Sequence, residues 1–405
     1  MEKKKERIEM AVNVKEVARG MQDQIVAWRR ELHQIPELRN ETFETEKIIV
    51  RELKKMGIEE IQSGIGGSGV VAIIRGAKPG KCLGIRADCD GLPIREETGL
   101  PFASTNGNMH ACGHDAHTAM ALATAKILYE NRSELAGTVK MVFQPYEEGD
   151  GGAKAMIADG VMENPHIDAM IALHTGSLAP ELKSGEIGWA ARDMSFNITA
   201  FWAKFHGKGA HVATPHEGVD PIFMAASAIT QMQAILSRER NPSKTVIAAV
   251  CKIEAGVRNN IIPETCYVEG SLRSDNKADQ KFYYQRICDI FQSVAQGLRG
   301  SVEVGKVFDL MSTETNPDML NRFLRVVPAV LEEGQLREIT TVNPTGEDFA
   351  RFADLVPSLY FLHGATFGDE RDYPHHHPKF MLNESGFWTG TATMVQFALH
   401  WLDEP

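Results

Sequence analysis

No run in this 405-residue chain approaches the roughly 20 consecutive apolar residues that a membrane-crossing helix needs, which sets aside an embedded helical protein as a class. Positive charge is also short: 43 Lys and Arg stand against 54 Asp and Glu, giving a net charge of -11, and the basic residues form no stripe. Nucleic-acid backbones are gripped by such stripes, so no nucleic-acid partner is expected. The six cysteines, Cys82, Cys89, Cys112, Cys251, Cys266 and Cys288, are scattered without tight pairing. They supply no disulfide framework and suit a reducing compartment. The first residues, Met1 to Arg7, are charged as the start of a secretory leader is, but polar sequence follows where an apolar stretch and a cleavage site would be needed. The expected location is cytoplasmic. What remains is ordinary globular composition, 43% hydrophobic and 24% charged, at a length that favours two or three domains.

From Val14 to Gly57 apolar residues recur at helical spacing with a break at Pro36, which predicts two amphipathic helices joined by a turn. Strand-like runs follow at Gly69–Arg75 and Cys82–Asp88, then a helix over His117–Asn131, a strand over Val139–Phe143, a short helix near Ala153–Asp159 and a strand over Ala169–His174. Strands alternating with helices predict an α/β sheet, mostly parallel and sandwiched by helices. After Trp189 the pattern changes. Phe196–Phe205 alternates, Pro221–Arg238 and Ala278–Leu298 are helical, and Thr245–Glu254 and Cys266–Ser274 are strand-like, as in a smaller α+β unit with an antiparallel sheet. From Asn316 the first style returns, with helices at Met319–Glu333 and Phe387–Trp401 around a strand at Ser358–Leu362. The middle segment therefore reads as an insertion, with parts 1–192, 193–308 and 309–405.

The densest chemical signal is Met109-His110-Ala111-Cys112-Gly113-His114-Asp115-Ala116-His117, just before a helix. A lone histidine is usually structural. Cys112 and His114, however, flank a glycine, so a tight turn can converge both on one ion, and a carboxylate such as Asp115 can bridge two. The adjacent Glu147 and Glu148 follow an apolar parallel strand, where open α/β sheets bind ligands. Adjacent glutamates are commonly just solvated; at a strand end, one can bind metal while the other moves protons. His174 ends another strand, and His375-His376-His377 precede Pro378. Four ligand-bearing segments predict a pair of divalent ions, about 3.5–4 Å apart, that jointly activate water and polarise a carbonyl. Zn²⁺ or Mn²⁺ suits the mixed N, O and S ligands, with Co²⁺ and Ni²⁺ also compatible.

These stretches, with Arg86–Ile94, Phe143–Glu148, Gly207–His211, Asn260–Pro263 and His376–Phe380, resemble the co-catalytic metallopeptidase family of aminoacylases, hippurate hydrolases, glutamate carboxypeptidases and auxin-conjugate amidohydrolases, the amidohydrolase branch most of all. The resemblance runs from Trp28 to Glu384. It implies a catalytic domain (1–192 and 309–405) with an inserted lid domain (193–308) that also forms a homodimer or higher homo-oligomer. It further implies metal ligands Cys112, His114, Glu148, His174 and His376, the general base Glu147, an oxyanion-supporting His211, and Asn260 and Arg273 as holders of the substrate carboxylate. His376 is preferred to His375 and His377 because the pattern sets the ligand two residues before a proline. His211 has the plain alternative of a polar loop histidine near His206 and His216, and Arg273 that of a strand-end charge. Tyr146 departs from the pattern, standing where a small residue is common. The implied activity is hydrolysis of small-molecule N-acyl-L-amino acids; alternatives are a dipeptidase or carboxypeptidase, an N-acetyl-diaminopimelate deacetylase, or a metal-dependent binding protein.

Overall fold

The computed structural model describes residues 13–149, 151–191, 193–340 and 345–404. They form two compact units. The first holds the described residues up to Met194, those of 314–340 and those from Asp348 onward; the second holds Ser195–Thr313 and 345–347.

The strands, in chain order, are β1 (Ile61–Ile65), β2 (Gly69–Arg75), β3 (Lys78–Asp88), β4 (Ala136–Gln144), β5 (Ala169–Gly176), β6 (Ile187–Trp189), β7 (Asn197–His206), β8 (Ala210–His211), β9 (Val246–Ala255), β10 (Ile261–Ile262), β11 (Thr265–Ser274), β12 (Ser301–Leu310), β13 (Leu336–Glu338) and β14 (Ser358–Gly364). The helices are α1 (Val14–Gly20), α2 (Gln22–His33), α3 (Phe43–Lys55), α4 (His114–Glu130), α5 (Gly152–Ala158), α6 (Pro221–Ala234), α7 (Lys277–Gly297), α8 (Pro317–Val326), α9 (Ala350–Ala353) and α10 (Phe387–Asp403). No helix among the described residues is long and apolar enough to cross a membrane.

The first unit is built on an eight-stranded sheet ordered β1-β2-β4-β3-β5-β14-β6-β13. Its middle pairs, β4 with β3, β3 with β5 and β5 with β14, are parallel, and β1, β2 and the β14–β6 pair add antiparallel contacts. Strand residues alternate between two cores, as successive side chains of a strand must. Val70, Ala72 and Ile74 join a core with Ile25, Trp28, Met120, Phe323 and Phe397 from α2, α4, α8 and α10, whereas Val71 and Ile73 join Ala153, Met156 and Phe352 from α5 and α9. Because both faces are covered, strands such as Gly69-Val-Val-Ala-Ile-Ile-Arg75 are nearly continuously apolar. Helix α4 is buried on all sides, and its alanines keep it slim enough for that position. The register sets Asp88 of β3 beside Gln144 of β4, so the carboxyl ends of the parallel strands finish together. Beyond that edge lies the place where such sheets bind ligands.

The second unit carries an antiparallel sheet ordered β12-β7-β11-β9 and a two-stranded ribbon, β10-β8. Phe201, Ala203 and Phe205 of β7 face Met224, Phe291 and their neighbours from α6 and α7, and Trp202 and Lys204 point the other way. Short strands such as β1, β6, β8, β10 and β13 are not expected from the sequence, the expected Met319–Glu333 helix ends at Val326, and two longer stretches also differ. The Val14–Gly57 stretch forms three helices, because the chain also breaks at Met21. Ser301–Leu310 is a full edge strand whose pattern is masked by Gly305, the charged Glu303, Lys306 and Asp309, and an irregularity between Lys306 and Phe308.

Candidate active site

Gly113 separates Cys112 from His114 and caps α4 at φ +91, a backbone position that favours glycine. A Cβ here would press Thr175 Cγ2 at 3.2 Å and Leu382 Cδ1 at 3.3 Å. The turn brings the thiol and the imidazole to one side. His114 donates from Nδ1 to the Asp90 carbonyl at 3.0 Å, leaving Nε2 buried with no hydrogen-bond partner. His174 likewise donates from Nδ1 to the Thr175 carbonyl at 2.9 Å, and its Nε2 lies 3.4 Å from Cys112 Sγ. Fixing one ring nitrogen on a carbonyl is how proteins aim the other's lone pair at a metal. Potential ligand atoms of Cys112, His114 and Glu148 lie within 4.8 Å of one another, as do those of Cys112, His174 and His375, so Cys112 is common to both groups.

The two glutamates arrive from the end of β4. Glu147 donates its backbone N–H to Asp90 Oδ1 at 3.1 Å, and Glu148 donates to Oδ2 at 3.2 Å, so one carboxylate orients both residues. Glu147 Oε2 then lies 4.0 Å from His114 Nε2, and Glu148 Oε1 lies 3.3 Å from His376 Nε2. Burial pushes the Cys112 thiol well up, with Glu148, Glu147 and Asp88 adding to the shift. Burial opposes charge on His114 too, yet Asp88, Asp90 and Glu148 hold that imidazole up to about 10. Burial drives His174 well below its ordinary value, which keeps its ring neutral with a lone pair to offer. The cluster thus gathers carboxylates that attract positive charge around imidazole and thiol donors.

Beneath it lies a second buried set. Arg86 donates from Nε to Gln144 Oε1 at 2.9 Å, from Nη1 to Asp88 Oδ2 at 2.7 Å and from Nη2 to Asp348 Oδ1 at 2.8 Å. Asp348 also accepts from the Gln144 amide and the Ala153 N–H. His117 donates from Nδ1 to Asp88 and accepts the Thr175 N–H on Nε2 at 2.8 Å, so both ring nitrogens are occupied. Asp348 was not singled out from sequence; the signal was a charged pair, Glu347-Asp348, directly before the apolar Phe349-Ala350. The expectation that Asp115 could bridge two ions is corrected. Its Oδ2 pairs with the Arg29 guanidinium, 2.7 Å from Nε, and accepts from His33 Nδ1 at 2.7 Å, which turns the carboxylate into the protein.

The three successive histidines separate by their partners. His375 accepts the Ser177 N–H on Nε2 at 3.0 Å, and burial pushes its pKa down to about 3. His377 accepts the Lys379 N–H on Nδ1 at 3.0 Å and stacks on Tyr373 with ring centroids 4.6 Å apart. His376, at φ +63, is the one that faces Glu148.

In the second unit His211 ends β8 opposite Ile261, and its Nδ1 accepts the Ala213 N–H at 3.1 Å. The Asn260 carbonyl accepts the Val212 N–H at 3.2 Å, so His211 and Asn260 share the ribbon. Arg273 does not join them. It pairs with Ile198 and Ile247 far along β11, and from Thr265 to Arg273 that strand extends about 26 Å at roughly 3.3 Å per residue.

The family model for peptidase family M20/M25/M40 matches residues 84–400. An N-acetyl-L-cysteine deacetylase of Bacillus subtilis (strain 168) is 35% identical over 390 residues, 95% of this chain and 89% of the relative. Thermostable carboxypeptidase 1 of Saccharolobus solfataricus is 35% identical over 408 residues, 97% of this chain and 99% of the relative. Among solved structures, the Bacillus subtilis YXEP protein, a dinuclear metal binding peptidase from the M20 family, superposes with a TM-score of 0.81 at 30% identity, covering 95% of this chain and 99% of that one.

Proposed function

The chain belongs to peptidase family M20/M25/M40, and from that premise we propose that it is a metal-dependent amidohydrolase cleaving the amide bond of N-acyl-L-amino acids. The observation that carries the reading is the aim of His114 and His174, each with Nδ1 fixed on a backbone carbonyl and Nε2 turned toward the Cys112 cluster. In this reading Cys112, His114, Glu148, His174 and His376 would hold two divalent ions, Cys112 being the residue common to both potential ligand groups that include it. Imidazole, carboxylate and thiolate together suit Zn²⁺ or Mn²⁺, with Co²⁺ and Ni²⁺ also fitting. The preference for His376 rests on the resemblance, which sets the ligand two residues before Pro378, and is supported by its Nε2, 3.3 Å from Glu148 Oε1. When bound, such ions acidify water and polarise a carbonyl oxygen.

The chain's own groups do the rest. Glu147 takes a proton from the attacking water onto its carboxylate and returns it to the nitrogen of the departing amine. Asp90 holds the backbone of Glu147 and Glu148, which keeps base and ligand in fixed relation. His211 donates to the oxyanion as the carbonyl carbon becomes tetrahedral, an interaction of the kind whose loss costs about 10²–10³ in turnover. Arg273 offers a planar donor fork to the substrate carboxylate, assisted by Asn260. One copy sets Arg273 well along β11 from the end nearest the His211–Asn260 ribbon, an arrangement that suits three contacts on one small substrate being shared between two copies of the chain. This supports a homodimer in which the insertion acts as lid and interface. The six thiols, all free, suit a reducing, cytoplasmic setting.

A carboxypeptidase is the second reading, favoured by the equal 35% identity to the Saccharolobus solfataricus enzyme. The test is amine release from N-acetyl, N-benzoyl and longer N-acyl amino acids beside dipeptides and carboxypeptidase substrates, with metal content measured in parallel. Preference for the acyl amino acids supports the first reading and preference for peptides the second. A metal-loaded protein that cleaves none of them is a binding protein.

A further inference from the structure

The loop that carries Glu147 and Glu148 closes on an aromatic ring. Tyr146 sits at φ +59, a left-handed conformation that bulky residues rarely adopt. Its carbonyl accepts the N–H groups of Gly151 at 3.2 Å and Gly152 at 3.0 Å, which folds the loop back over the residue. The ring fills the space so created. A Cβ on Gly149 would overlap the Cε2, Cζ and Cδ2 atoms of the ring, and a Cβ on Gly151 would overlap Cδ1 and Cε1, so glycine backbone grips both edges. A Cβ on Gly152 would overlap the Pro145 carbonyl oxygen, which leaves the return path equally tight. On the other side Asp90 accepts the N–H groups of Glu147 and Glu148.

We propose that Tyr146 is a positioning residue whose ring clasps the glycine-bordered loop and so fixes the directions of the Glu147 and Glu148 carboxylates. The inference rests on the reading of those two residues as base and ligand. Strained backbone persists only where the surroundings over-determine it, and here the compensation is contact between ring and glycines. Without the ring, the glycines regain the conformational freedom that makes them costly to order. The two carboxylates then lose a fixed origin, and a displacement of about 1 Å at a reacting group can cost about 10²-fold in rate.

The test uses the full-length, metal-reconstituted protein and four variants: Tyr146→Phe, Tyr146→Ala, Gly151→Ala and the double variant Tyr146→Ala/Gly151→Ala. Steady-state kinetics on the best substrate are read beside a Zn²⁺ competition titration against a chelator, which needs no substrate. Tyr146→Phe should stay within about threefold of wild type in both. Tyr146→Ala should lower kcat about 10–100-fold with KM changed less than about threefold, and should weaken Zn²⁺ binding about tenfold. Gly151→Ala should be similarly impaired, and the double variant no worse than Tyr146→Ala, because a clash with the ring disappears with the ring. The clasp is overturned if Tyr146→Ala matches wild type in kcat and Zn²⁺ affinity, if Tyr146→Phe is as impaired as Tyr146→Ala, or if the two substitutions add. A wild type that hydrolyses nothing would overturn the amidohydrolase reading alone, and the Zn²⁺ titration and the cycle would then decide the clasp. Should Tyr146→Ala not fold, Gly151→Ala against Tyr146→Phe/Gly151→Ala decides: equal impairment supports the clasp, and Zn²⁺ affinity at the wild-type level in Gly151→Ala overturns it.

Discussion

Replacing His33 by glutamine should destabilise the protein more at pH 6 than at pH 9.5. The ring is fully buried, with Nδ1 2.7 Å from Asp115 Oδ2 and Nε2 3.1 Å from Glu96 Oε1. Both carboxylates are acceptors, so a ring that bonds to the two of them carries both protons. Arg29 on α2 is a like-charge neighbour, its Nη2 3.2 Å from Nδ1; Phe102 meets the ring edge-on at 5.6 Å, and His110 lies at 6.3 Å. Burial and Arg29 push the imidazole down, Asp115 and Glu96 push it up, and the net direction is up. A group raised above its unfolded value of about 6.5 contributes fully below that pH, and its contribution is lost as pH rises through the folded value. Burial opposes ionisation of Asp115 and Glu96 as well, but Arg29 and His33 hold Asp115 well down, and His33, Thr98 and Ser104 lower Glu96. Their contribution is therefore complete above about pH 4 and lost only as pH falls through the lowered values. At pH 6 the whole group is charged. Removing one partner of a buried pair costs about 3–5 kcal/mol, and glutamine offers its donors to only one of the two carboxylates at a time. Urea unfolding of both proteins with chelator present, at pH 6.0 and 9.5, measures the difference at each pH. A cost that is equal at the two values, or that grows with pH, would refute a charged ring.

Three further outcomes follow from the site. Glu147→Gln should keep its metal by elemental analysis yet lose about 10²–10⁴ in kcat, since general acid–base transfer is worth that much; unchanged turnover would remove Glu147 from the role of base. Gly113→Ala should weaken metal binding about tenfold in a chelator competition, because its Cβ must displace Thr175 or Leu382 while the backbone holds φ +91. Mixing Glu147→Gln and His211→Ala chains under conditions that exchange subunits should restore about half the wild-type activity to each mixed dimer, where one site combines an intact Glu147 with the partner's intact His211. No restoration would mean that His211 serves its own chain or none.

Much of the first unit was legible because its strands are buried on both faces and therefore read as apolar runs, as in Gly69–Arg75 and Ala169–His174. The edge strand Ser301–Leu310 was not legible, since it is exposed or half-buried up to its last residue and has no strong pattern to keep. The same distinction applies to the site. Cys112, His114, Glu148 and His174 stood out because ligand types gathered at strand ends, a signal carried by residue identity and position. Asp115 has the right identity and the wrong direction: its neighbours Arg29 and His33 come from α2, more than 80 residues away, and only folding decides that they claim it. The histidines make the point more sharply. His114, His117, His174 and His375 are indistinguishable as residue types, yet two direct Nε2 toward the thiol cluster and two have it occupied by a backbone N–H. The donors and acceptors that sort them are the Asp90 and Thr175 carbonyls and the Thr175 and Ser177 amides, groups every residue possesses. A pattern of side chains can therefore nominate ligands, but the backbone selects among them, and the order of that selection appears only when strand ends and turns are placed in space.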